Sequence, residues 1–129
     1  MEENKLLHRQ VHPAFIQGNS LSSQAFSFTS QVFTPTHKDK GFLSVYNGKI
    51  FNAEEAYNHY TTNPSFESGG VVSVSASECE ELSLKIYEDN NPFFGHNSID
   101  FNDFNQSQII SLAKKLKAKA ILRGWQYIK

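Results

Sequence analysis

The chain is nearly without cysteine, methionine and tryptophan, with one of each in 129 residues. A lone Cys79 cannot close an internal disulfide, which excludes a disulfide-stapled scaffold and suits a reducing compartment. No apolar run approaches the ~20 residues that a membrane-spanning helix needs. The start, MEENKLL, lacks the basic and apolar regions of a signal peptide, so a cytoplasmic location and no membrane partner are expected. Neither sign of charge dominates: 12 Lys and Arg against 13 Asp and Glu leave a net charge of -1. That balance argues against a surface committed to nucleic acid. Phosphate-loop, dinucleotide and nucleophile-elbow signatures are missing too. There is no C-x-x-C and no His pair at i, i+4 within a predicted helix, so neither a metal nor another cofactor is expected.

Phenylalanine is abundant, at 11 residues. Phe15, Phe26, Phe28, Phe33 and Phe42 fall in strand-like sequence, and burial in a dense core is the expected use. The length suits a single domain over residues 1–129 with one two-layer core.

LLHRQVH alternates and is closed by Pro13, which predicts a first strand. IQGNS is a turn on Gly18 and Asn19, SSQAFSFTSQVF a ragged strand, and TPTHKDKG a polar loop. FLSVYNGKIF carries Asn47-Gly48 between apolar runs and predicts a tight hairpin. A helix follows over about 53–61, with Asn52 and Glu55 framing its start. Ala53, Ala56, Tyr57 and Tyr60 make its stripe, and His59 lies off it. TTNPSFESGG is a long loop and VVSVSA a strand. Ser77 and Glu80 frame a short turn of helix, LSLKIYED reads as a strand with Leu82, Leu84 and Ile86 inward, NNPFFGH is a turn, and SIDF is a short strand. A second, amphipathic helix over about 106–123 is capped by Asn105 and Gln108. It presents Ile109, Leu112, Ala113, Leu116 and Ala120, and stops at Gly124. The order predicts an α+β fold, helices on a largely antiparallel sheet.

His8, Arg9 and His12 are the densest chemical cluster. Arg9 can hold phosphate or carboxylate through its planar fork, and histidines can move protons near neutrality. Alternation puts His8 and Gln10 opposite Arg9; His8 and His12 could converge, or a bulge could swing Arg9 across. A solvated strand end with Arg9 paired to a carboxylate is the plainer reading. His96 and Asp100 share a face, but roughly 13 Å apart along an extended chain they form no dyad. His96 could still meet the His8–Arg9 region across the sheet. Glu78, Glu80 and Glu81 around Cys79 argue against an activated thiol. His37, Lys38, Asp39 and Lys40 read as a solvated turn. Ser22 and Ser23 lack a partnered base. Lys114, Lys115, Lys117, Lys119 and Arg123 form a wet helix face, with a phosphate-touching strip as the sharper alternative.

LHRQVHPAFI, SSQAF, KDKGFLSVYNG and RGWQY together resemble a group of small stand-alone bacterial proteins that carry no assigned function. The resemblance implies a bacterial, single-domain, cytoplasmic protein. A first strand with Arg after His, and a later serine-bearing strand, also resemble ADP-ribosyltransferase-like folds, including RNA 2′-phosphotransferases. That second resemblance implies that Arg9 or His8 contacts a dinucleotide and that Ser44 lines the pocket. The chain departs from it in lacking a glutamate on a final strand and a second arginine for phosphate. Two functions therefore stand open. One is a non-catalytic binding or accessory module, with a protein partner and a defence or toxin–immunity setting. The other is an enzyme on a nucleotide-like molecule using Arg9, His12 and His96.

Overall fold

Eleven elements follow one another in the computed structural model, which describes residues 5–17, 27–35 and 40–129. The strands are β1 (Leu6–Gln10), β2 (Ile16–Gln17), β3 (Ser27–Phe28), β4 (Phe42–Asn47), β5 (Gly70–Ser75), β6 (Lys85–Tyr87), β7 (His96–Asp100) and β8 (Tyr127–Ile128). The helices are α1 (Ala53–Thr61), α2 (Ala76–Glu81) and α3 (Gln106–Arg123), with 3-10 turns at Pro13–Phe15 and Ser30–Phe33. Six strands form one antiparallel sheet in the order β6-β7-β4-β1-β5-β8, and β2 pairs with β3 apart from it. The α+β class and both long helices stand as the sequence predicts.

The two faces of this sheet differ, because side chains alternate along each strand. One face carries Leu7, Val11, Leu43, Val45, Val72, Val74 and Ile99, packed with Leu112, Ala113, Leu116 and Ala120 of α3 and with Phe28 and Phe33. The opposite face carries His8, Gln10, Ser44, Tyr46, Ser73, His96 and Ser98, brought into line by the registers His8↔Ser73, His8↔Tyr46, Tyr46↔His96 and Ser44↔Ser98. The helix α1 covers only part of it. Ala56 is its one fully buried residue, Tyr57 packs on Tyr127, and Tyr60 stacks on Phe66. Among the described residues no helix is long and apolar enough to cross a membrane.

Several local expectations change. No hairpin forms at Asn47-Gly48; β4 ends at Asn47, and Gly48 turns the chain out of the sheet with its N–H on the Leu6 carbonyl at 2.7 Å. A Cβ on Gly48 would lie 2.5 Å from that oxygen, so the glycine serves close approach rather than positive φ. The next residues instead enter α1, where Asn52 and Glu55 complete a reciprocal cap. The cap of α2 is Ser75 with Glu78, two residues before the expected Ser77 and Glu80. The sixth strand shrinks to three residues, since Leu82 caps α2 and Ser83 takes φ 64. Within SSQAFSFTSQVF, Ser27–Phe28 is extended and Ser30–Phe33 is a 3-10 turn. The expected turn at Gly18 and Asn19, Ser22, Ser23 and Phe26, and His37, Lys38 and Asp39 lie outside the described residues.

Candidate functional site

The site opens where one strand ladder stops. β1 keeps five paired positions with β5 but only Leu7↔Asn47 and His8↔Tyr46 with β4. Past His8 the two strands part. Arg9 reaches into the gap, donating from Nε to the Val32 carbonyl and from Nη1 to the Ser44 carbonyl, each at 2.8 Å. Its pairing with β5 stays regular through Gln10, so the parting of strands rather than a bulge delivers Arg9.

A cavity of about 510 Å³ occupies this opening. Arg9, Gln10, His12, Ser44, Tyr46 and His96 line it from the sheet side. Phe15, His59, Tyr60, Phe66 and Phe93 close its flanks. The aromatic walls support one another. Phe93 lies 4.4 Å from the His59 ring and 5.0 Å from Tyr46, and Tyr60 stacks on Phe66 at 5.0 Å and 20°. Phe28 and Phe33 are buried in the core as expected, whereas Phe15 faces the cavity and Phe42 is exposed. The aromatic excess thus divides between core and pocket.

Hydrogen-bonding partners set the tautomers of His12 and His96. The Ala14 N–H donates to His12 Nδ1 at 3.0 Å, so a neutral His12 carries its proton on Nε2. His96 Nδ1 donates to Asp89 Oδ1 at 2.7 Å, which leaves Nε2 of the neutral ring as an acceptor. Ser98 Oγ donates to the other Asp89 oxygen at 2.6 Å, so both carboxylate oxygens are held. Partial burial works to raise the Asp89 pKa, but those bonds from Ser98 and His96 outweigh it and hold the carboxyl below its ordinary value. Tyr46 Oη lies 2.9 Å from His59 Nδ1. Burial, with Tyr60 nearby, pushes the Tyr46 phenol upward and keeps it protonated. Gln10 Nε2 donates to the Ala56 carbonyl at 2.9 Å, while its buried Oε1 has no partner.

A second cavity of about 710 Å³ adjoins the first, sharing Ser44, Pro92 and His96. Phe42, Tyr87, Glu88, Asp89 and Asp100 line it. His96 therefore sits at the junction, with its side chain only 9% exposed.

Of the sequence candidates, Arg9, His12, Ser44 and His96 meet at the first cavity, and His8 does not. His8 is buried between strands with Nδ1 2.7 Å from Ser73 Oγ. His8 and His12 do not converge: the chain leaves the strand after Gln10, and His12 becomes the exposed cap of a 3-10 turn. The carboxylate partner of His96 is Asp89, and Asp100 instead accepts from the Asn102 N–H. Asp89 and His59 are the site residues that sequence reading missed. Asp89 precedes the NNPFFGH turn, and a carboxylate and a histidine seven residues apart across such a turn were the available signal.

The remaining candidates lie elsewhere. Lys114, Lys115 and Lys119 are exposed on α3 and Lys117 is half-buried. Arg123 departs from that face, clamping both Glu78 oxygens at 2.9 and 3.0 Å and the Ser73 carbonyl at 3.0 Å. Cys79 is buried, and burial with Glu78 and Glu80 pushes its thiol up to about 12, so it is no nucleophile. Among the described residues no three His, Cys, Asp or Glu side chains gather as a metal site.

Compared with protein-family models, with curated proteins and with solved structures, the chain shows no match.

Proposed function

We propose that the chain is a binding module for a small nucleotide-like molecule, held in the aromatic cavity between α1 and the loop before β7. The observation that carries this reading is the wall itself. Flat rings from Phe15, Tyr46, Tyr60, Phe66 and Phe93 surround a space of about 510 Å³ that also presents Arg9 and His12. Rings of this kind stack on a base, and a guanidinium with an imidazole N–H suits an attached anionic group.

Within the resemblances, the placement of Arg9 against Ser44 supports a nucleotide pocket of the ADP-ribosyltransferase-like kind. Among the described residues the lining of the cavity includes no glutamate or aspartate, which favours binding over that family's chemistry. The bacterial, cytoplasmic accessory role fits this reading. Exposed apolar side chains occur both on α3, at Ile110, Ile121 and Leu122, and at the two cavities, at Phe42, Phe66 and Tyr87.

Titration calorimetry with adenosine 5′-monophosphate, followed by a thermal-shift series of nucleotides, tests the proposal. Phe66 is 48% exposed, so Phe66→Ala should leave folding nearly unchanged. Loss of one stacking face costs about 1–3 kcal/mol, so affinity should fall roughly 5- to 150-fold. A ligand at a hundred times its dissociation constant should add about 2.7 kcal/mol to wild-type stability. Absence of heat and of any shift across the series would reject the proposal.

A further inference from the structure

Asp89, itself held by Ser98, fixes His96 at the junction of the two cavities. Both oxygens of the carboxylate are engaged, one by His96 Nδ1 and one by Ser98 Oγ. The Phe93 ring meets His96 edge-on at 5.3 Å and 88°, fixing the plane of the imidazole. The ring is thereby committed to one tautomer, with a basic Nε2 left over, and it lies where the two cavities meet. On β4, Ser44 is shared by the two cavities and its carbonyl holds the Arg9 guanidinium, which lines the first cavity.

We infer that this junction is a hydrolytic centre for a phosphodiester, with His96 as general base and Asp89 as its positioning residue. The inference rests on the nucleotide-binding reading and adds a reaction to it. A ligand filling both cavities has two parts joined across Ser44 and His96. The Arg9 charge suits a phosphate at that joint. Lys5 offsets Glu88, but Asp89 and Asp100 leave the second cavity negative, which favours a singly charged diester with an uncharged or cationic group on that side.

In the step, His96 Nε2 takes one proton from a water molecule. The water oxygen forms a bond to phosphorus, and one ester P–O bond breaks with its electron pair on the departing oxygen. That oxygen takes a proton from solvent, and His96 later returns its own to solvent. One diester and one water give a monoester and an alcohol. The Asp89 charge steadies the imidazolium in between, as Arg9 steadies the phosphoryl oxygens.

The test uses the full chain with bis(p-nitrophenyl) phosphate and the dinucleotide adenylyl-adenosine as substrates. Adenosine 5′-monophosphate binding is measured alongside. Wild type should release p-nitrophenolate and adenosine, and H96Q and D89N should lower kcat by about a hundredfold or more. The affinity of D89N for the monophosphate should stay within about threefold, because Asp89 lies outside the lining of the aromatic cavity. Free imidazole should partly restore turnover to His96→Ala in proportion to its unprotonated form, which a merely structural histidine would not show. Monophosphate binding without turnover of either diester overturns the hydrolytic centre and leaves the binding reading intact. Turnover unchanged in H96Q and D89N, or His96→Ala inactive and insensitive to imidazole, likewise overturns it. Failure of the monophosphate to bind rejects the binding reading and the inference with it.

Discussion

His8, Arg9 and His12 are close in sequence and perform three separate tasks. His8 is buried against Ser73; burial lowers its pKa below 6.5, and a hydrogen bond to the Phe51 backbone offsets this only in part. The unfolded chain therefore takes up the proton first as pH falls. Stability from the neutral ring is complete above 6.5 and drains away from there down to the lower folded value. Urea unfolding between about pH 7.5 and pH 5.5 should show wild type losing stability, at no more than about 1.4 kcal/mol per pH unit for this one proton. The non-titrating His8→Asn should give a flatter slope, whatever its overall stability; parallel slopes would rule His8 out as the source. Alternation along the strand was enough to set His8 opposite Arg9. Which of them meets solvent was not legible, because it depends on where β4 stops pairing with β1, thirty-odd residues away in the chain. The Asp89–His96 pair was hidden for the same reason. An extended-chain spacing rules out Asp100 correctly, yet only the turn between β6 and β7 brings Asp89 back to the ring.

Helix boundaries were the most readable elements, because a cap is a contact between residues three apart. Asn52 with Glu55 and Asn105 with Gln108 are such cases, and both form as read. SASECEE holds two overlapping candidates, Ser75 with Glu78 and Ser77 with Glu80, and propensity alone cannot choose between them. The choice is tertiary: Ser75 is the last residue of β5, paired with Leu6, and Glu78 meets Arg123 from the end of α3. The misread hairpin has a similar cause, since an Asn-Gly turn competes with a helix cap five residues later and the cap wins. For Glu78, burial raises the carboxyl pKa, but the bonds and charge of Arg123 and the Ser75 cap bring it below its ordinary 4.5. A carboxylate depressed in this way stabilises the fold above its unfolded pKa and loses that contribution as pH falls through the folded one. Glu78→Gln keeps a side chain that can complete the cap but removes the charge. At neutral pH it should cost about 1–2 kcal/mol, the range for hydrogen bonds to charged groups reduced for partial exposure. Denaturation curves of the two proteins should draw together as pH falls from 4.5 through the lower folded value; a constant gap across that whole range would show that the charge contributes nothing.

Across the whole molecule, the sheet has one apolar face committed to α3 and one polar face that α1 only half covers, and the cavity is the uncovered remainder. Arg9 couples the two sides. Its strand belongs to the sheet, its Nε holds the Val32 carbonyl in the 3-10 turn of the core layer, and its Nη1 holds the Ser44 carbonyl at the cavity. Val32 and Phe33 of that turn are fully buried, so the guanidinium anchors a core segment as well as a pocket wall. An arginine serving only a ligand could be removed without thermal cost; this one cannot. Arg9→Ala leaves two carbonyls without their charged donor and should cost about 1.5–3 kcal/mol, a fall in Tm of roughly 5–10 °C for a domain of this size. Arg9→Lys keeps the charge but not the planar fork that spans two carbonyls, and should recover only part of the loss. Calorimetric melting of wild type and both variants, with and without saturating adenosine 5′-monophosphate, separates the two tasks. The ligand-free melts report the anchor, and the ligand-induced increment reports the pocket. An Arg9→Ala protein that melts with wild type would show that the parted strands β1 and β4 and the core turn hold together unaided, and would return Arg9 to a purely ligand-facing role.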